Sequence, residues 1–525
     1  MKTILPIVCF LLLGFFGKAN NVQITGVTTT VTGGTTVLNF NISWDNSWRG
    51  GPANNWDAVW VFVKYRTEMG WFSHLDLTGT DITAPAGLTV TVPADHKGCF
   101  IYRSADGAGS ITSSTISVGI TQKPGAVDVK VFGLEMVNIP TGAFYLGYSG
   151  GGNGNFGEGG TGGVTPFQIT SATPPVIGNA LGQLYDGRVS GTGTFASGWP
   201  TGYNSFYIMK YELSQAGYRD FMNTLPGYSS TYLGERADTL ASLTVGARIY
   251  KATASPATYR NNLKIASTTG GDLIGADANG NNIFNEASDG EWTAANFLYW
   301  SDAAAFLDWA ALRPMTEFEY EKACNGPVAS NYPAYATGTY FVIPNTAASS
   351  PAGIINPNTS SETVTHDLIN NWINTNEFWG SVSAPNNPGR PLRGGFVADG
   401  VSTRLSSGGS YYGVMELSGN LWEPVVTSAN IAGRSYNGSL GDGVISAIAA
   451  RANETTWPGN QDVVTTANTG GEILKFATAG ISKKGGGFDD VLYSAIYTAN
   501  FDPATNPYPT NNRLAARAYG CRGVR

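Results

Sequence analysis

The chain has 525 residues and is acidic, with 31 Lys and Arg against 38 Asp and Glu and a net charge of −7; only 13% of it is charged, and 68 glycines fill part of the gap. That sign argues against nucleic acid and anionic membrane as partners, since both are held by clustered Lys and Arg. The length calls for two or more domains, and the low charge with abundant Gly, Thr, Ser and Asn suits an extracellular, loop-rich β protein.

Residues 1–19 carry Lys2, an apolar run from Ile4 to Phe16, and Gly17-Lys18-Ala19. An apolar run this short reads as a secretory signal peptide cleaved near Ala19, not as a membrane span. Pro6-Ile7-Val8 ahead of Cys9 makes no convincing lipoprotein cleavage box. Without Lys2 and Lys18, 29 basic and 38 acidic side chains remain, a net charge of −9. No later segment is long and apolar enough to span a membrane, so a secreted or cell-surface product is expected.

Residues 20–131 run as short alternating stretches broken by turn residues, among them VLNFNISW, AVWVFVKY, LTVTV and STISVGI. The pattern predicts an all-β sandwich resembling immunoglobulin or fibronectin modules. In DAVWVFVKYR, Val59, Val61 and Val63 share one face while Trp60 and Phe62 lie opposite, which predicts a strand covered on both sides. A packing or spacer role suits this domain.

From residue 132 the texture changes. The glycine-rich loop after Leu146 lacks a basic residue and a Gly-Lys-Ser/Thr ending, so it is not a phosphate cradle. In YELSQAGYRDFMNTLPG, Ser214 is placed to cap a helix whose apolar face is Tyr218, Phe221, Met222 and Leu225. Further on, Ser301 is expected to cap a helix running to Leu312, and Thr316 with Glu319 forms a capping box opening another. Residues 326–409 read as a long loop insertion with one short helical turn near Asp367 to Trp372.

Cys99, Cys324 and Cys521 follow the leader, so one disulfide and one leftover thiol is the simple count in an oxidising compartment, and three pairings satisfy it. His74, His96 and His366 lie far apart, which starves a histidine-based zinc or iron site of ligands. In DANGNNIFNEASD, the side chains of Asp277, Asn279, Asn281 and Asn285 and the Ile283 carbonyl fall at positions 1, 3, 5, 9 and 7 of a calcium loop resembling the dockerin-type EF-hand variant. Asn282 replaces the usual Gly, and Ser288 the usual acid, with Asp289 one step late. The alternative is an Asn-Gly turn in a surface hairpin.

Four segments in order, FYIMKYELSQAGYRDFMN, WSDAAAFLDWAALRPMTEFEYEKACNG, YGVMELSGNLWEPV and the terminal GGG...LAARAYGCRGVR, resemble the formylglycine-generating enzyme, or sulfatase-modifying factor, family. The resemblance covers roughly residues 135–525. It implies an α+β architecture in which the N-terminal sandwich precedes a loop-rich, atypical C-type-lectin-like domain over residues 132–525, often with bound calcium.

Aerobic members of the family bind copper(I) through two cysteines just after the last segment's glycines, because soft thiolates select that ion. Here that stretch reads Gly487, Phe488, Asp489, Asp490, Val491, Leu492, Tyr493, Ser494, without Cys or His, so neither copper nor iron is expected. The histidine triad and helical domain of the related iron-dependent sulfoxide synthases are also missing. The resemblance further implies a Cys324–Cys521 bridge, with Cys99 left single, and a calcium site built from the carbonyls of Glu416, Gly419 and Leu421 and the carboxylate of Glu423.

These readings favour a non-catalytic member that binds an extracellular protein or glycan through Phe488, Asp489, Asp490, Tyr493, Tyr497, Asn500 and Phe501, residue types that adaptable binding surfaces use. Related lectin-like domains are targets of diversity-generating retroelements, so a diversified adhesin is one form of this reading. Two alternatives stand beside it. One is an oxidoreductase of the superfamily with a non-standard site, for which adjacent Asp489 and Asp490 would need a bulge to share a metal. The other is a structural component of an extracellular layer.

Overall fold

A computed structural model describes residues 21–488 and 513–525, apart from 33, 52, 68–71, 124–125, 151–155, 226–235, 237–243, 270–271, 339–353, 365–390, 397, 399–403, 447–449 and 460–478. The leader, the expected helical turn near Asp367 and residues 489–512 lie outside the described residues.

Eight strands open the chain: β1 (Gln23–Thr32), β2 (Thr35–Gly50), β3 (Asn55–Thr67), β4 (Ser73–Leu75), β5 (Leu88–Thr91), β6 (Cys99–Arg103), β7 (Gly107–Ile120) and β8 (Ala126–Ile139). All their pairings are antiparallel: β2 lies between β1 and β7, while β3 lies between β8 on one side and β6 with β4 on the other. Alternation along β2 turns Leu38, Phe40, Ile42 and Trp44 inward, against Val59, Val61 and Val63 of β3 and Ile116, Val118 and Ile120 of β7. The opposite face of β3 carries Ala58, Trp60 and Phe62 into the core of the following region. β3 is therefore covered on both faces, as its sequence predicts. The Trp60 indole N–H donates to the Ala310 carbonyl at 2.9 Å. Burying a ring of this kind is worth roughly 2–3 kcal/mol.

The expected boundary at residues 131/132 falls inside β8, which pairs with β3 along most of its length and, through Met136–Ile139, with β13 (Phe206–Met209) on its far side. One strand thus belongs to both regions. A buried ion cluster reinforces the junction: Lys210, just after β13, lies 3.2 Å from both Asp57 of β3 and Glu135 of β8.

Beyond β8 the regular elements are short. Strands β9 (Phe144–Leu146) and β11 (Phe167–Ile169) pair, as do β10 (Phe156–Glu158) and β12 (Leu184–Asp186), and β14 (Leu263–Ile265) and β15 (Ile274–Ala276). So do β16 (Ile354–Ile355) and β17 (Thr363–Val364), and β18 (Glu423–Val426) and β19 (Ile481–Lys484). Helix α1 (Gln215–Met222) is capped by Ser214, whose hydroxyl accepts from the Gly217 amide, and it buries Tyr218, Phe221 and Met222. Helix α2 (Trp300–Trp309) begins one residue ahead of the expected cap. The Asp302 carboxylate accepts the Tyr299 amide at 2.9 Å, while Ser301 is buried with its hydroxyl unpartnered. A carboxylate in the first turn is the better acceptor because it also meets the helix dipole. Helix α3 (Glu317–Asn325) opens with the expected Thr316–Glu319 capping box. The described chain is β-rich with few helices.

Candidate functional site

β19 sets two lysines on opposite sides. Lys483 places its ammonium 4.3 Å from the Trp422 ring centre and 2.5 Å from the Tyr519 hydroxyl, while Lys484 pairs with Glu321 at 3.2 Å. Both lysines are buried. The chain then turns through Gly485 and Gly486, at φ of 95° and 76°, values that favour glycine. Gly487 is required for a different reason: a Cβ there would lie 2.9 Å from the Ala518 Cβ and from the Trp422 ring. The turn is tied to the loop Glu416–Trp422 by the Gly419 amide on the Gly485 carbonyl (2.6 Å) and the Phe488 amide on the Asn420 carbonyl (2.9 Å).

That loop is sharply bent, with Glu416, Gly419 and Asn420 all at positive φ. Its carboxylates converge on one buried guanidinium. Arg522 donates through Nε to Glu423 at 2.6 Å and through its other nitrogens to the carbonyls of Met209 (2.8 Å) and Met415 (2.7 Å). Glu212 accepts the Leu421 amide at 2.9 Å and also the Asn420 side chain. Glu416 accepts the Gly395 amide at 2.9 Å. Glu416 Oε2 and Glu423 Oε2 are buried and have no hydrogen-bond partner. Burial pushes Glu416 up to about 7 and raises Glu423 against the opposing pull of Arg522. Glu212 is raised well above the carboxylate range, by burial first and by the Glu423 charge second.

The structure brings Glu416, Gly419, Leu421 and Glu423 into this one loop. Arg522 and Glu212 complete it, and sequence reasoning missed both. Arg522 was visible only as one arginine of the CRGVR ending.

Of the expected binding surface only Phe488 is described, and it is 1% exposed, packed on Tyr259 with ring centres 5.9 Å apart. Phe488 is thus a core residue, drawn inward by its amide bond to Asn420. Asp489, Asp490, Tyr493, Tyr497, Asn500 and Phe501 lie outside the described residues. The expected Cys324–Cys521 bridge is not formed: both are free, buried thiols that pack in different clusters of the core, and Cys99 is a third. Burial pushes the Cys99 thiol up to about 12 and raises the other two as well.

In the segment from Asp277 to Asp289, the Asn279 side chain accepts the Asn281 amide and Asn281 accepts the Ile283 amide. Asp277 carries the Lys264 ammonium at 2.8 Å, and Asn282 adopts the positive φ (61°) of the missing Gly. Asn285 faces the Ala276 amide and Arg219, and the acid that closes on Asn279 and Asn281 is Glu286, which the sequence pattern did not single out. A second acidic group, Asp308, Asp442 and Glu454, offers oxygens within 4.8 Å of one another. Asp308 there accepts the Asp442 and Asn453 amides, which gives it a backbone-capping role.

A family model described as Sulfatase-modifying factor enzyme 1-like domain matches residues 133–432. The chain belongs to the sulfatase-modifying factor family. The match begins inside β8 and takes in α1, α2, α3 and the Glu416–Glu423 loop. It ends before the Gly485–Gly487 turn, which the fold nonetheless seats against that loop. No curated protein matches the chain.

Proposed function

We propose that the protein is a secreted or cell-surface, non-catalytic member of the sulfatase-modifying factor family. It binds an extracellular protein or glycan through the surface that follows the Gly485–Gly487 turn, as an adhesin does. In this reading the N-terminal sheets form an immunoglobulin-like support. The observation that carries it concerns sulfur. The stretch from Gly485 to the end holds one cysteine, Cys521, and that thiol is fully buried with its ionisation suppressed. Thiolate chemistry requires an accessible, ionised sulfur.

Calcium at the Glu416–Glu423 loop is part of the same reading. Three buried carboxylates face one guanidinium, and two of their oxygens lack partners, a donor set that suits a hard cation. Glu416 and Glu423 would hold the ion together with the carbonyls of Glu416, Gly419 and Leu421. The bound ion supplies the positive charge that lets these carboxylates ionise, and so fixes the loop beneath the turn.

The test pairs two assays on the mature chain. A cysteine-containing sulfatase peptide should remain unconverted when incubated with copper(I) and oxygen. In a screen against glycans and cell-surface proteins the wild type should bind a target that an Asp489→Ala, Tyr493→Ala, Tyr497→Ala triple variant does not. Equal binding by both, or conversion of the peptide, overturns the reading.

A further inference from the structure

β13 covers only part of the edge that β8 turns away from β3. Tyr207 and Met209 of β13 donate their amides to the carbonyls of Arg525 and Gly523, so Phe206 and Ile208 turn theirs to β8, opposite Ile139 and Val137. The odd-numbered residues of β8 therefore direct their amides and carbonyls to this edge, and the Glu135 carbonyl accepts the Lys210 amide there at 2.8 Å. No register shift interrupts the β3–β8 ladder between Asp128 and Val137, so Gly133 and Val131 face the same way. Among the described residues nothing pairs with them. β1 passes close enough for Ile24 and Val22 to crowd Gly133, but its ladder is with β2 alone.

Beyond Lys210 the chain swings away into α1, and the strip it leaves beside β8 is a cavity of about 360 Å³, in the range of small-molecule sites. Val22 and Ile24 line it from the odd-numbered face of β8, and Phe132, Phe306 and Trp309 from the even-numbered face. A space touched from both faces of a strand lies off its edge. Gly133 is itself in the lining and half-buried, and having no side chain it can present only main chain there. The far wall is Tyr211 to Asp220, at the head of α1.

A free sheet edge is ordinarily guarded by charged side chains, a bulge or a proline. β8 has charged guards at Asp128 and Lys130, but the next residues, Val131, Phe132, Gly133 and Leu134, carry no charge and the strand is regular there. What fits beside them must offer N–H and C=O groups at strand spacing, and it must be apolar on both faces, because the cavity is apolar on both. From Val131 to Glu135 the edge runs about 13 Å, or roughly four extended residues.

We propose that this cavity binds a short extended peptide with uncharged side chains, which pairs with the main chain of Val131 and Gly133 as an added strand. The site is independent of the surface beyond Gly487, so either can fail without the other.

Calorimetric titration of the mature chain with the end-blocked tripeptide N-acetyl-Ala-Phe-Ala-amide tests it. One-to-one binding is expected, and the same peptide methylated on every residue nitrogen, which keeps the side chains and loses the donors, should bind about tenfold weaker or more. Free-ended Ala-Phe-Ala, run alongside, separates the sources: binding tighter than that of the blocked form marks a free peptide, weaker binding a segment within a longer chain. Amide hydrogen exchange over residues 129–135 should slow in the complex. Val131→Pro removes one outward N–H and none of the β3 ladder, a change that edge strands tolerate, and should weaken binding by about tenfold. Ala216→Trp fills the cavity from the first turn of α1 and should abolish binding. The two variants alter opposite walls, so one decides the matter where the other fails to fold. The proposal is overturned by absence of binding up to about 10 mM, by a methylated peptide that binds as well as its parent, by unchanged exchange over residues 129–135, or by an Ala216→Trp variant that binds like the wild type.

Discussion

The regions on either side of β8 satisfy their backbones in opposite ways. Before it, long ladders do the work: β2 pairs with β7 from Thr36 to Arg49, and β3 with β8 from Asp57 to Thr67. After it, the paired strands have two to four residues, and buried or half-buried cations replace ladder partners. Lys322 donates to the carbonyls of Pro140, Gly202 and Tyr203, Arg404 to those of Cys324 and Ala336, and Arg522 to those of Met209 and Met415. Buried carbonyls must be paired by something, and a chain that gives up regular strands must supply side-chain donors instead. Those donors bring charge into the core, which in turn demands carboxylates. The second region thus adds to a large apolar core a set of buried polar groups that fail sharply when one is removed, while the core around β2, β3 and β7 is apolar and yields gradually.

Breaking the polar side should have the largest effect. Arg522→Met leaves Glu423 and two carbonyls without their donor and should destabilise the protein by about 3–5 kcal/mol, read from the denaturant midpoint. A loss below about 1 kcal/mol would mean that the second region does not depend on its buried cations.

A pH titration of stability sharpens the same point. Burial raises Glu416 from 4.5 to about 7, so between those values the folded protein keeps a proton that the unfolded chain has released. Stability from this group is therefore fully present below about pH 4.5 and falls as the pH rises to about 7, by about 3 kcal/mol in chelator-treated protein. Added calcium should shrink that fall, since it binds the ionised carboxylates, and Glu416→Gln should remove the share of this one group from the chelated profile while the share of Glu423 and Glu212, which burial also raises, stays. A profile equally steep with and without calcium would remove the ion from this loop.

The smallest effect is expected on the apolar side. Val61→Ala takes two methyl groups from the core that β3 shares with β2 and β7 and should cost about 2 kcal/mol. A loss as large as that of Arg522→Met would erase the contrast between the two regions.

Local features are legible in the order of residues. Ser214 caps α1 and Thr316 with Glu319 boxes the start of α3, because both signals lie within a few residues of the groups they satisfy. The two-sided cover of β3 follows from its alternation, and the family from four short motifs. Competing local solutions are harder to rank: Asp302 takes the cap expected of Ser301, and Phe488, expected at a surface, is core.

The groups that make up the site are another matter. Glu212 and Arg522 stand far apart along the chain, and no spacing rule relates them. Caps, turns and strand alternation obey short-range geometry that the order of residues encodes directly. Which buried charges meet, and which polar atoms are left without partners, follows from how distant segments close on one another. Packing alone decides that, since the cost of an unpaired buried group depends on its neighbours in space and not on those in the chain.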